Sequence, residues 1–203
     1  MNLIPNEFYH IYNRGNNQQK IFFSDANYLF FLKKIRTQIS PICKIISYCL
    51  MPNHFHFIVM ATENSITERP SFGGKPMQEF AYRIGMLLSS YTQAINKQNK
   101  TTGSLFQQKT KAKILVEEID GRKESYFVNC LHYIHRNPLI SNLTKDLKQW
   151  PYSSYPDYAG FRNGTLCDTK IFFALTGLTA EAIIKGTQSE MEEGIVRKLY
   201  DGR

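Results

Sequence analysis

Hydrophobic and polar positions change period several times along the chain. Residues 7–15, EFYHIYNRG, alternate aromatic or aliphatic residues with polar ones and stop at Gly15, the period-two signature of a strand. In residues 24–39, SDANYLFFLKKIRTQI, apolar positions recur at helical spacing behind Ser24, which is suited to an N-cap, and end before Pro41. The run CKIISYCLM (43–51) is rich in β-branched and aromatic residues, and a further strand follows Pro52. The order is β-α-β-β, with the last two strands close enough for an antiparallel hairpin.

Residues 61–76, ATENSITERPSFGGKP, are polar, with two prolines and a Gly-Gly pair, and are expected to form a mobile loop. A second helix is predicted from about Met77 to Lys97, with Phe80, Ile84, Leu87, Leu88, Tyr91 and Ile95 as its apolar stripe. KAKILVEE (111–118) reads as a strand, and a third helix is expected from about Arg122 to Asn137, ended by Pro138. These elements predict an α+β fold, a ferredoxin-like antiparallel sheet with helices packed on one face. From Asp146 the pattern weakens. WPYSSYPDYAG is an extended aromatic stretch, and TKIFFAL and residues 179–200 are short helix candidates. The expected division is residues 1–158 as one domain and 159–203 as a C-terminal helical extension that packs back or supports dimer contacts.

At 203 residues the chain is long enough for one domain with a substantial core. A net charge of +8 points to a polyanionic partner, since clustered Lys and Arg replace counterions along phosphates. Cys43, Cys49, Cys130 and Cys167 include no CxxC pair, which argues against a zinc ribbon and a secreted disulfide scaffold. The start, MNLIPNEFYH, lacks a leader pattern, and no apolar stretch approaches the roughly 18 residues that span a bilayer. A cytoplasmic protein with no membrane association is expected.

The strand after Pro52 holds two of only five histidines, in MPNHFHFIV (51–59). Alternation puts His54 and His56 on one face, separated by about 6.6 Å of rise, while Phe55, Phe57 and Val59 face a core. Two imidazoles at that spacing can converge on one ion, and an ion with open positions needs a third protein ligand. On the helix ESYFVNCLHYIHRNP (124–138), Tyr126, Phe127, Cys130, Leu131 and Ile134 form a buried arc. Tyr133 and Asn137 lie one turn apart at its margin, and His132 and His135 point to the far side. A phenol with an ordinary pKa near 10 is a poor nucleophile at neutral pH unless an ion polarises the phosphate it attacks or stabilises the phenolate. Covalent phosphotyrosine chemistry is one use of such a set.

The HFH strand preceded by YCLMPN, together with the later YIHRNP helix, resembles the HUH-superfamily single-tyrosine transposases, in which U is a bulky hydrophobic residue. The REP-associated tyrosine transposase branch is the nearest match. YHIYNRG (9–15), GSLFQQKTKA (103–112) and WPYSSYPDY (150–158) add to the resemblance, which covers most of residues 7–158. It implies a divalent ion, Mg²⁺ or Mn²⁺, on His54, His56 and Asn137. It implies that Tyr133 attacks a phosphodiester of single-stranded DNA, keeps the 5′ phosphate and frees a 3′ hydroxyl, with rejoining as the reverse. Some relatives carry Gln where this chain has Asn137, and the shorter amide must bring helix and sheet closer. The implied partner is single-stranded or hairpin DNA, including palindromic repeats, with the protein a monomer or a homodimer.

Lys97, Lys100, Lys109, Lys111 and Lys113, with Phe106, Gln107 and Gln108 among them, form either a basic ledge that stacks unpaired bases or a solvated face. Asn13 and Arg14 beside Gly15 form either a phosphate-contacting turn or a structural one. His10 is a structural hydrogen-bonding residue or touches DNA. Tyr91 is the main rival to Tyr133, but it fits its own apolar stripe and has Ile95 rather than an amide or acid one turn on. Two other functions stay open: a non-catalytic nucleic-acid-binding protein on the same fold, and a metallohydrolase.

Overall fold

The computed structural model describes residues 1–70, 74–115 and 123–189, the side chains of 123–125 excepted. Strand β1 (Phe8–Arg14) leads through a 3-10 turn to helix α1 (Asp25–Lys34), which widens to π geometry over Ile35–Ile39. Strands β2 (Cys43–Met51) and β3 (His54–Ala61) form a hairpin closed at Pro52 and Asn53. A short helix α2 (Glu63–Ile66) and a small ladder of β4 (Glu68–Arg69) with β5 (Met77–Gln78) precede α3 (Glu79–Asn99) and strand β6 (Lys111–Ile114). The main sheet has the order β2-β3-β1-β6 with every neighbouring pair antiparallel, the ferredoxin-like arrangement expected from the sequence.

Alternation divides the strand residues between two apolar cores. Tyr9, Ile11, Leu50, Phe55, Phe57 and Val59 pack with Phe31 of α1 and with Phe80, Ile84, Leu87 and Tyr91 of α3. Cys49, Met51 and Ile58 face the other way, onto Tyr126, Cys130, Tyr133 and Ile134 of helix α4 (Lys123–Ile140). The crossover helices α1 and α3 share one face, but α4 adds a helical layer on the other, so helices cover both faces and not the one expected, because Cys49, Met51 and Ile58 give the second face its own apolar surface. Helices α5 (Tyr155–Tyr158) and α6 (Thr169–Thr176) also reach β2, the former through the Tyr158 hydroxyl on the Ile46 carbonyl, and α7 (Ala180–Gln188) packs on α4. Phe172 of α6 and Ile183 of α7 are fully buried in the α4 core.

Three local expectations differ from the structure. Pro138 lies inside α4 instead of ending it. The helix continues to Ile140 and closes where Asn142 takes a left-handed φ of 53° and Leu143 N–H bonds the Pro138 carbonyl. The stretch 61–76, expected to be a loop, contains α2 and β4. Thr62 and Ser65 make a capping box, and the polar residues serve an ion-pair network in which Glu79 meets Arg69 at 2.8 Å and Arg83 at 2.5 Å. The strand expected over 111–118 pairs over Lys111–Ile114. Its residues 116–118, the helix start at Arg122 and residues 190–200 of the last helix candidate lie outside the described residues.

The extended stretch after Trp150 lies along the outer edge of β2, where Leu50 N–H bonds the Tyr152 carbonyl and Ser154 N–H bonds the Tyr48 carbonyl. Arg162 fastens this segment through Asp157 (2.7 Å) and the Pro151 carbonyl (2.8 Å). Among the described residues no helix is long and apolar enough to cross a membrane.

Candidate active site

The β2–β3 turn sets the position of the histidine strand. The Pro52 carbonyl accepts from Ile21 N–H and Phe22 N–H, and the Asn53 carbonyl accepts from Gly15 N–H. Gly15 is required here because a Cβ would fall 2.2 Å from the Gln19 carbonyl oxygen. With that turn pinned, register places Arg14 opposite His54 and Tyr12 opposite His56. His10, Tyr12 and Arg14 of β1 thus share a face with His54 and His56, and Lys111 and Lys113 extend it along β6.

Helix α4 closes over this face. The Tyr133 ring stands edge-on to His56 at 5.6 Å between centroids and to His10 at 6.2 Å, and only 1% of the residue is exposed. Asn137 donates its Nδ2–H to the Tyr133 carbonyl at 2.8 Å, which turns its Oδ1 toward His54 Nε2 at 3.4 Å. His54 Nδ1 lies 2.7 Å from Asn53 Oδ1. A neutral imidazole has one N–H, and both of these neighbours are acceptors. One proton serves one of these two contacts; on Nδ1, at the shorter one, it leaves the Nε2 lone pair facing the Asn137 oxygen. With the proton so placed, these two acceptors could hold a cation between them.

His56 completes the set. Its Nδ1 is 2.8 Å from His10 Nε2, and its buried Nε2 has no hydrogen-bond partner. Burial lowers the His54 pKa to about 4, with the Asn137 contact opposing the shift and Arg14 adding to it. Burial lowers His56 well below the ordinary value, helped by His54 and His10, and lowers His10 to about 3, helped by Lys113. All three rings are neutral near pH 7 and carry lone pairs. His54 Nε2, His56 Nε2 and Asn137 Oδ1 are a borderline donor set of two nitrogens and one oxygen, consistent with a divalent ion that keeps open positions. Among the described residues no group of three or more His, Cys, Asp or Glu is placed to hold a metal.

The remaining sequence-predicted residues divide. Arg14, Lys111 and Lys113 belong to the site face, and Lys113 Nζ lies 5.5 Å from the Tyr126 ring centroid. Lys97 and Lys100 are exposed at the end of α3, on the opposite side of the sheet, and Lys109 is exposed in the loop before β6. Asn13 is buried and donates to the Gln107 carbonyl and to Thr110 Oγ1, so it ties the turn together and presents nothing to a ligand. Phe106 is 4% exposed and packs among Phe31, Phe55 and Tyr91, so its ring is committed to the core and offers no open face for base stacking. Gln107 is half-buried beside it and lines a groove of about 530 Å³ between α3 and this loop. Tyr91 sits in the α3 core and donates its hydroxyl to the Ile21 carbonyl at 2.8 Å. His10 reaches the site through strand register: alternation puts it on the right face, but only the β1–β3 pairing brings it diagonal to His56.

No protein-family model matches the chain. A protein of Haemophilus influenzae bearing the name of the REP-associated tyrosine transposases is 23% identical over 119 residues, 54% of this chain and 57% of that protein. The chain therefore matches little more than half of that relative's length. The solved structure of a REP-associated tyrosine transposase bound to a REP hairpin superposes with a TM-score of 0.55 at 14% identity, covering 83% of this chain and 92% of the other. That likeness shows the fold.

Proposed function

We propose that this chain is a REP-associated tyrosine transposase that cleaves and rejoins single-stranded or hairpin DNA through a 5′-phosphotyrosine on Tyr133. The observation that carries the reading is the pair of facing acceptors, His54 Nε2 and Asn137 Oδ1, beside the unpartnered Nε2 of His56 and under the Tyr133 ring. The sequence and fold relatives reported above support the same class, and the hairpin in the solved relative supports folded DNA as the substrate.

His54, His56 and Asn137 would hold Mg²⁺ or Mn²⁺, which when bound supplies a Lewis acid for a phosphate oxygen. Arg14 and Lys111 lie on the same face and attract the DNA backbone to it. The bond from Asn137 Nδ2 to the Tyr133 carbonyl fixes the direction of its Oδ1. In cleavage the Tyr133 oxygen bonds to phosphorus as the bond from phosphorus to O3′ breaks. The phenolic proton goes to solvent, the O3′ leaving group takes up a proton, and the 5′ phosphate stays on the protein. A 3′ hydroxyl attacking the phosphotyrosine reverses each change, and because the bond energy is conserved no nucleotide cofactor is consumed. Since Tyr133 is covered in this conformation, a phosphodiester reaches it when α4 and the strand face separate at this end.

The test is incubation of the purified chain with end-labelled single-stranded hairpins from the flanks of its own gene, with Mn²⁺ or with EDTA. Metal-dependent cleavage leaving a free 3′ hydroxyl, and loss of the product on adding excess 3′-hydroxyl strand, support the reading. Tight binding with no cleavage under any metal would assign a binding protein. Turnover with a tightly held zinc and no covalent species would assign a metallohydrolase.

A further inference from the structure

The two imidazoles of the candidate metal site have the same unusual requirement. Each must present Nε2 as a lone pair, so each must carry its proton on Nδ1. A free imidazole favours the opposite form. Each ring has a polar neighbour within hydrogen-bond distance of its Nδ1. Asn53 Oδ1 lies 2.7 Å from His54 Nδ1, and His10 Nε2 lies 2.8 Å from His56 Nδ1.

We propose that Asn53 and His10 are positioning residues that fix the tautomers of His54 and His56, turning both Nε2 lone pairs toward one ion. The proposal rests on the metal-dependent reading of this site and adds residues outside the set of ligands and nucleophile. The amide orientation of Asn53 supports it. Its Nδ2 faces the Gln18 carbonyl at 3.4 Å, which leaves Oδ1 as the atom that meets His54. Asn53 itself sits in the β2–β3 turn, whose carbonyls are bonded to residues 15, 21 and 22, so the acceptor is held in place before any ligand arrives.

The His10–His56 pair works differently. Both rings are buried, the shared proton can sit on either, and His10 Nδ1 and His56 Nε2 are the two atoms left without partners. Either placement leaves one unpaired donor and one unpaired acceptor, so hydrogen-bond accounting alone leaves the pair balanced. An ion on His56 Nε2 would require a lone pair there: the Nε2 proton leaves to solvent, the shared proton sits on His56 Nδ1, and His10, now the acceptor at Nε2, takes up a proton on Nδ1. His54 is thus set in advance by Asn53, while His56 is set by His10 as the ion arrives. Outer partners of metal-bound imidazoles commonly contribute about 10–100-fold in metal affinity.

The experiment is ¹⁵N-histidine NMR of the full chain, without metal and with diamagnetic Mg²⁺, together with Mn²⁺ titration by calorimetry. The expected spectra place the His54 proton on Nδ1 with and without Mg²⁺, and the His56 proton on Nδ1 with Mg²⁺. Asn53→Ala and His10→Phe each weaken Mn²⁺ by about 10–100-fold. Asn53→Asp and His10→Gln, which restore an acceptor, recover most of that loss, a rescue that a purely packing role would not produce. A His54 proton on Nε2 in the wild-type chain overturns the proposal without any variant. Unchanged Mn²⁺ affinity in both Asn53→Ala and His10→Phe overturns it while leaving the metal site standing. Failure of the wild-type chain to bind either ion overturns the metal-dependent reading, and this role with it.

Discussion

His54 and Asn137 are 83 residues apart in the chain, yet their Nε2 and Oδ1 atoms face each other at 3.4 Å. The Asn137 amide is held by the Tyr133 carbonyl one turn back, so the proposed nucleophile and the proposed third metal donor share a single helical turn. Asn137→Ala is therefore expected to weaken Mn²⁺ binding by at least about 10-fold and to reduce covalent adduct, with a small change in thermal stability. Calorimetric titration beside a thermal melt separates the two effects. A large loss of stability with unchanged Mn²⁺ affinity would assign Asn137 to packing.

Tyr91 provides a control tyrosine. It is as buried as Tyr133, but it lies in the α3 core across the sheet and donates to the Ile21 carbonyl. Tyr91→Phe should cost about 1 kcal/mol of stability and leave adduct formation intact. Urea unfolding and the adduct assay on the same preparation check both halves.

Arg162 holds the segment after Trp150 against the β2 edge. It meets Asp157 at 2.7 Å and donates to the Pro151 carbonyl and the Tyr48 hydroxyl, while the Asp157 side chain is only 6% exposed. Arg162→Ala leaves that carboxylate unpaired and is expected to destabilise by about 3 kcal/mol, lowering Tm by roughly 6–12 °C. Combining it with Asp157→Asn should cost less than the sum of the single changes, which a double-mutant cycle measures.

The far side of α4 predicts a pH dependence. His132 Nδ1 bonds Thr187 Oγ1 of α7 at 2.8 Å, and burial, with Arg136 adding, lowers its pKa from 6.5 to about 4. His135 bonds Ser154 and is also lowered, by burial first and then by His132. For these groups the unfolded chain takes up protons at a higher pH than the folded one. Their contribution is fully present above about pH 6.5 and is lost as the pH falls toward 4, on the order of 3 kcal/mol for His132. Chemical denaturation at stepped pH should show this fall, and His132→Gln should flatten it. Gly186→Ala tests the same contact by packing. A Cβ there would lie 2.6 Å from His132 Nε2, so a loss of about 1–3 kcal/mol is expected.

Much of this architecture could be read from periodicity. The alternation of β1 and β3 and the stripe of α3 follow directly from residue spacing, and the HFH pattern with Tyr133 and Asn137 indicated which side chains face one another. Features that depend on pairing between distant segments were less visible. His10 reaches His56 only through strand register, which no local pattern in β1 encodes. Phe106 looks like an exposed aromatic among lysines, but the Gly15–Phe106 bridge draws it into the core. Pro138 marks a helix end in local terms, whereas α4 runs on through Ile140. The polar stretch after Ala61 looks like a loop because its stabilising partners, Glu79 and Arg83, lie beyond it in α3.

The most direct test of the central claim is mass spectrometry of the covalent adduct. After incubation with flank-derived hairpin DNA and Mn²⁺, nuclease treatment and tryptic digestion, the peptide 124–136 contains both Tyr126 and Tyr133. Fragmentation is expected to place the nucleotide on Tyr133, with no adduct in EDTA or in Tyr133→Phe. A nucleotide on any other residue, or an undiminished adduct in Tyr133→Phe, would contradict it.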